Sequence, residues 1–139
     1  MDIKTTLRSA RVPLQYFRLW QVIGWFLVAL IIWGSLTPAP PHLHIADGDK
    51  VQHFSAYGIV MMWFAQLYRR PVHWLLALAC VALGVAMEYA QLASGYRDFE
   101  YMDMVADAVG TALGWVLAGT SLMEMLPAVD RRLGAVRQP

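Results

Sequence analysis

The stretch MEYAQLASGYRDFEYMDMVADAVGTALG, residues 87–114, sets Glu88, Gln91, Arg97, Asp98, Glu100, Asp103 and Asp107 between two long apolar runs. Elsewhere the chain keeps nearly all of its charge at its ends and in short turns. An ionisable group at the centre of a membrane span costs roughly 2.5–3.5 kcal/mol on insertion scales, and less toward the interface, so several gathered together mark a working site. The same stretch sets the architecture. An apolar helix ends at Ser94-Gly95, a polar connection follows, and a second apolar helix begins near Asp103.

Composition agrees with a membrane setting. The chain has 139 residues, room for one domain, with 58% hydrophobic and 15% charged residues and a mean hydropathy of +0.44. Soluble domains average about 45–50% apolar and about 25% charged. Six Trp and six Tyr suit the membrane interface, where a ring and its polar tip are both satisfied. A formal net charge of +1 excludes a nucleic-acid partner, which asks for a strongly basic face. The lone Cys80 can form no internal disulfide.

Four apolar runs follow one another, at 19–36, 50–68, 72–92 and 103–126, each near the ~20 residues a bilayer core requires of a helix. The first exceeds the ~7–15-residue core of a cleaved signal, and the TPAPP that follows, 37–41, offers no small-x-small cleavage site. These runs predict an all-α, integral membrane four-helix bundle: a basic head at 1–18, a single four-span domain at 19–126 and a basic tail at 127–139. The head, the 69–71 turn and the tail hold nine of the eleven Lys and Arg; only Lys50 and Arg97 fall in the other set of connections. The positive-inside rule then predicts a multi-pass protein with both termini cytoplasmic. On that topology the acids of 87–114, with Asp47, Asp49, Lys50 and His53, all collect at the outer face.

Helical spacing sharpens this. Residues three and four apart share a face, which aligns Lys50, His53 and Tyr57 in the second run, Gly84, Glu88 and Gln91 in the third, and Asp103, Asp107, Gly110 and Gly114 in the fourth. Ala106, Gly110, Gly114 and Ala118 form a small-xxx-small ladder that admits a neighbouring backbone, and it predicts close packing of the third and fourth runs. Crowded carboxylates need cations, so Arg97 is expected to pair with an acid here. Asp98 and Glu100 read as solvated loop charges.

The strings DGDKVQHFSAYG, EYAQ and YRDFEYMDMVADAVGTALG resemble the VanZ-like family, small bacterial membrane proteins named for a member associated with teicoplanin resistance. The resemblance rests on Asp49, Lys50, His53 and Phe54; Glu88 and Gln91; and Gly95, Arg97, Asp103 and Gly110, with Ser35, Leu36, Pro38 and Pro41 similar to the end of the family's first span. Where the family usually carries Asn, this chain has Asp107. The resemblance implies a cell-envelope role in the bacterial cytoplasmic (inner) membrane.

Three functional classes are compatible with these residues. The leading one is a protein that binds or handles an anionic envelope lipid, lipid-linked precursor or glycopeptide, through Asp49, Lys50, His53, Tyr57, Glu88, Gln91, Arg97, Asp103 and Asp107. Lys and Arg would meet phosphate or carboxylate. The second is a membrane hydrolase acting on a lipid phosphate, with His53, Glu88 and Asp103 as catalytic candidates, although the ordered signature of type-2 phosphatidic acid phosphatases does not occur. The third is a transport or scaffold subunit, which with so few spans would act as a homo-oligomer. A divalent metal held by His53 and the acids is compatible with these residues, but no His and acid spacing is diagnostic of one, and no metal site or cofactor is assigned from the sequence.

Overall fold

A computed structural model describes residues 3–39 and 47–136. Among the described residues the chain is all-helical, as expected: α1 (Ile3–Ser9), α2 (Phe17–Leu36), α3 (Gly48–Leu67), α4 (His73–Ser94), α5 (Tyr101–Leu117) and α6 (Met125–Ala135), with single 3-10 turns at Arg70–Val72 and Ser121–Glu124. Pro41 and Arg137 lie outside the described residues.

Two segments are long and apolar enough to cross a membrane. They are α2, with 20 residues, and the 25-residue stretch Arg70–Ser94 that contains α4. Helix α2 buries only Trp20, Gly24 and Ser35 and turns Val22, Trp25, Phe26, Leu30 and Trp33 outward. A face this apolar is suited to lipid. Its end follows from Pro38, which biases the preceding residue toward extended backbone; Thr37 sits at φ −77°, ψ 132° and donates its hydroxyl to the Trp33 carbonyl at 2.7 Å.

Helix α3 is the centre of the bundle, touching α2, α4 and α5. Its lower turns supply much of the core, with Tyr57, Val60, Met61, Phe64, Ala65 and Leu67 all buried. The small-residue ladder corrects the expected pairing. A methyl on Gly110 would strike the Phe54 carbonyl, and one on Gly114 the Gly58 carbonyl; the ladder therefore seats α5 on α3, the second apolar run, rather than on α4. What admits α5 to α4 is Gly84, since a Cβ there would lie 2.6 Å from Asp107 Oδ2.

The run at 103–126 is not one helix. Helix α5 stops at Leu117, where Gly119 N–H donates to the Val116 carbonyl at 2.9 Å. The Thr120 hydroxyl donates to the Leu117 carbonyl at 2.6 Å and accepts from Leu122 N–H at 3.3 Å. Such local bonds compete with helix continuation. The 17 residues of α5 span about 25 Å at ~1.5 Å per residue.

At the end opposite the acid-rich stretch, polar contacts tie the flanking segments to the bundle. Val12 N–H donates to the Leu67 carbonyl at 2.9 Å and Arg69 N–H to the Ala10 carbonyl at 2.7 Å. Gln66 Oε1 accepts Leu126 N–H at 2.8 Å. His73 Nε2 faces the Tyr68 and Ala65 carbonyls at 2.8 and 3.1 Å, so that nitrogen carries the proton. Asp130, buried on α6, accepts from Gln15 N–H at 2.7 Å, Tyr16 N–H at 3.0 Å and Trp20 Nε1–H at 2.7 Å. Its charge thereby sits at the N-terminus of α2, where the helix dipole favours an anion. Burial pushes its carboxyl up, but the Trp20, Gln15 and Tyr16 hydrogen bonds, with Arg131 nearby, outweigh that and hold it below the ordinary 3.8.

Candidate functional site

Three helix ends meet at one level, each placed there by a local signal. Helix α3 begins at Gly48 and carries Asp49, Lys50 and His53 on its first turns. Helix α4 carries Glu88 and Gln91 on its last turns and ends at Gly95, whose φ of 73° is left-handed and suits glycine. Helix α5 starts at Tyr101 and presents Asp103 and Asp107.

The cations divide the acids between them. Lys50 Nζ lies 3.1 Å from Asp49 Oδ2, 3.2 Å from Glu100 Oε2 and 3.8 Å from Asp103 Oδ1. His53 serves the deeper pair, with Nδ1 3.0 Å from Asp107 Oδ1 and Nε2 3.6 Å from Asp103 Oδ2. A carboxylate oxygen accepts, so the proton of the shorter contact belongs to Nδ1, and the lone pair of a neutral ring sits on Nε2. Glu88, 0% exposed, accepts Glu100 N–H on Oε2 at 2.9 Å. Tyr57 Oη, Glu88 Oε1, Asp103 Oδ1, Asp107 Oδ2 and Thr111 Oγ1 are buried without a hydrogen-bond partner among the described residues. One donor atom each of His53, Glu88 and Asp103 lie within 4.8 Å of one another, and so do those of Asp49, Glu100 and Asp103.

Thus Asp49, Lys50, His53, Glu88, Asp103 and Asp107 come together, with Tyr57 one turn below His53. Gln91 turns the other way and donates Nε2–H to the Ser35 carbonyl of α2 at 3.1 Å. Beside it Tyr96 donates its hydroxyl to the Leu36 carbonyl at 2.7 Å. Asp98 is an exposed loop charge, as expected. Two expectations change. Arg97 is half-buried yet forms no ion pair among the described residues; the cations that meet the acids are Lys50 and His53. Glu100, although its side chain is 48% exposed, is no free loop charge: its carboxylate holds Lys50 and its amide holds Glu88. The Ser35 carbonyl, Thr111 and Gln52 also belong to the site and its surroundings; Ser35 stood in the sequence only as part of the end of the first apolar run, and no charge or named motif position announced Thr111 or Gln52.

Arg97 instead lines a groove of roughly 420 Å³ between α2 and α3. Leu27, Leu30, Ile31 and Trp33 form one wall, Ala56, Tyr57, Ile59 and Val60 the other, and Asp49, Gln52, His53 and Arg97 the polar end. His53 therefore borders both the groove and the acid cluster. Such an arrangement can seat an apolar chain, hold an anion at its polar end and move a proton between imidazole and carboxylate.

The chain is similar to an uncharacterized protein of Schizosaccharomyces pombe, C11E3.10, at 36% identity over 101 residues, which is 70% of this chain and 62% of that relative. The chain therefore spans somewhat under two thirds of the relative's length. No solved structure gives a significant match. The VanZ/LLP1 family model matches residues 3–123, nearly the whole of the described fold, and on that match the chain belongs to the VanZ/LLP1 family.

Proposed function

We propose that the protein binds a membrane lipid, or a lipid-linked envelope precursor, whose anionic head group rests on Arg97 while its chain lies along the α2–α3 groove. One observation carries the reading: an apolar groove ends at a guanidinium that has no ion-pair partner among the described residues. Arg presents a planar fork that binds phosphate or carboxylate through two parallel hydrogen bonds. In the membrane arrangement that goes with this reading, α2 to α5 cross the bilayer and both termini face the cytoplasm. The nine Lys and Arg on the head, the 69–71 turn and the tail support that orientation. The polar end of the groove then opens at the outer face of the cytoplasmic membrane.

Lipid extracts of purified wild-type protein should contain a bound phosphorylated or otherwise acidic lipid, and Arg97→Ala should lose most of it. Equal retention by both proteins, read by mass spectrometry, removes the proposal.

A second reading is favoured by the His53–Asp107 contact of 3.0 Å beside the groove. Imidazole oriented by a carboxylate is the usual equipment for general acid and base work, and it fits a hydrolase of lipid phosphates. Purified protein should then release phosphate from a phosphatidyl or prenyl phosphate, and His53→Ala should abolish the release. No release from either substrate leaves the binding reading alone.

A further inference from the structure

The acid cluster holds more negative charge than its own bases answer. Lys50 is committed to Asp49 and Glu100, and His53 Nδ1 to Asp107. That leaves Glu88 and Asp103, 0% and 5% exposed, short of close partners: Glu88 Oε1 accepts no hydrogen bond, and Asp103 has only the long approaches of Lys50 Nζ to Oδ1 at 3.8 Å and of His53 Nε2 to Oδ2 at 3.6 Å. Buried carboxylates in this condition are costly to maintain unless a cation joins them.

The geometry supplies a place for one. Donor atoms of His53, Glu88 and Asp103, contributed by α3, α4 and α5, lie within 4.8 Å of one another. His53 Nε2 and Asp103 Oδ2 are 3.6 Å apart. That is long for a hydrogen bond but close to the separation of two ligands on one ion, roughly 3.0–3.5 Å for metal bonds of about 2.1–2.4 Å. The Asp107 contact at Nδ1 completes a familiar pattern, in which a metal-binding imidazole gives its other N–H to a carboxylate that fixes the tautomer and aims the ligand nitrogen. The neighbouring group of Asp49, Glu100 and Asp103 has no such vacancy of charge, because Lys50 Nζ already lies among its oxygens.

We propose that His53, Glu88 and Asp103 bind a divalent transition-metal cation, with Asp107 positioning the imidazole. One nitrogen with carboxylate oxygens suits Mn²⁺ or Zn²⁺, whereas Ca²⁺ asks for oxygen ligands alone. The three ligands come from three separate helices, so no linear spacing could have displayed them. The site does not depend on Arg97 or on the apolar wall of the groove, and metal binding and lipid retention are therefore separate readouts.

The test uses untagged protein in detergent, stripped with EDTA and titrated with Mn²⁺ by electron paramagnetic resonance and with Zn²⁺ against a coloured chelator. One saturable site per chain is expected, together with a rise in melting temperature on adding the metal. Glu88→Gln should weaken binding at least tenfold. Asp107→Asn, which keeps an acceptor for Nδ1–H, should weaken it less than His53→Gln does. X-ray absorption of the Zn²⁺-loaded wild type should show one imidazole nitrogen with oxygen ligands, and this measurement decides the matter if Glu88→Gln does not yield folded protein. Absence of saturable binding overturns the proposal, as does a metal shell without imidazole or an affinity unchanged in a folded Glu88→Gln variant.

Discussion

Gly110→Ala should unfold the protein at a markedly lower temperature than wild type, with a loss of about 3 kcal/mol, and Gly110→Val should leave little folded material. The added methyl meets the backbone of Phe54, first its carbonyl oxygen and then its carbonyl carbon at 2.8 Å. Backbone cannot turn aside as a side chain does, so α3 and α5 must separate, and overpacking of this kind costs about 1–3 kcal/mol or more. Separation also pulls Asp103 and Asp107 away from His53, so the proposed metal binding and lipid binding should both fall with the fold. Gly34→Ala is the matched control. It also lies in a helix, yet nothing approaches the position a Cβ would take within 4 Å, and surface changes of that sort usually stay within about 0.5 kcal/mol. Thermal unfolding in detergent, followed by size-exclusion homogeneity, reads both variants. Equal melting of Gly110→Ala and wild type would show that the α3–α5 approach is looser than described.

Asp130→Ala should also be strongly destabilising, by about 3 kcal/mol, since it strands the buried Trp20 Nε1–H and two backbone N–H groups at once. Its pH dependence has a definite sign. The folded carboxyl lies below its ordinary value, so its contribution is complete above the unfolded pKa, about 3.9, and is lost as pH falls through the folded value. Wild type should therefore lose stability on acidification below pH ~4 more steeply than Asp130→Asn, whose amide accepts hydrogen bonds without titrating. Parallel acid profiles for the two proteins would contradict this account.

These residues also show how far a linear reading reaches. Asp49, Lys50, His53, Glu88, Asp103 and Asp107 were legible because each sits near the end of an apolar run, and helical periodicity fixes the face it occupies. Depth and face together are enough to bring them close. Partner choice is another matter. The glycine ladder announces that some backbone comes near, but its spacing does not say whose, and α3 rather than α4 fills the place. Arg97 lies in a connection whose path is set by φ and ψ at a few residues, so its pairing could not be read from charge alone. Asp130 looked like one acid in a basic tail. Its partners are more than 100 residues away in sequence, and no local pattern encodes such a distance. The break after Leu117 did carry a signal in Gly119, Thr120 and Ser121, but the continuing hydropathy of the run outweighed it.

The bonds to α2 have a consequence for how the groove can widen. One tip of this helix is held by Asp130 and by Trp63 Nε1–H on the Trp20 carbonyl at 3.0 Å; the other is held through the Ser35 and Leu36 carbonyls by Gln91 and Tyr96. A rod fastened at both tips cannot swing like a gate, and it yields most at its middle, as a bowstring does. On the proposed lipid-binding reading, room for a long chain would open sideways around Leu27, Leu30 and Ile59 rather than at the polar end of the groove.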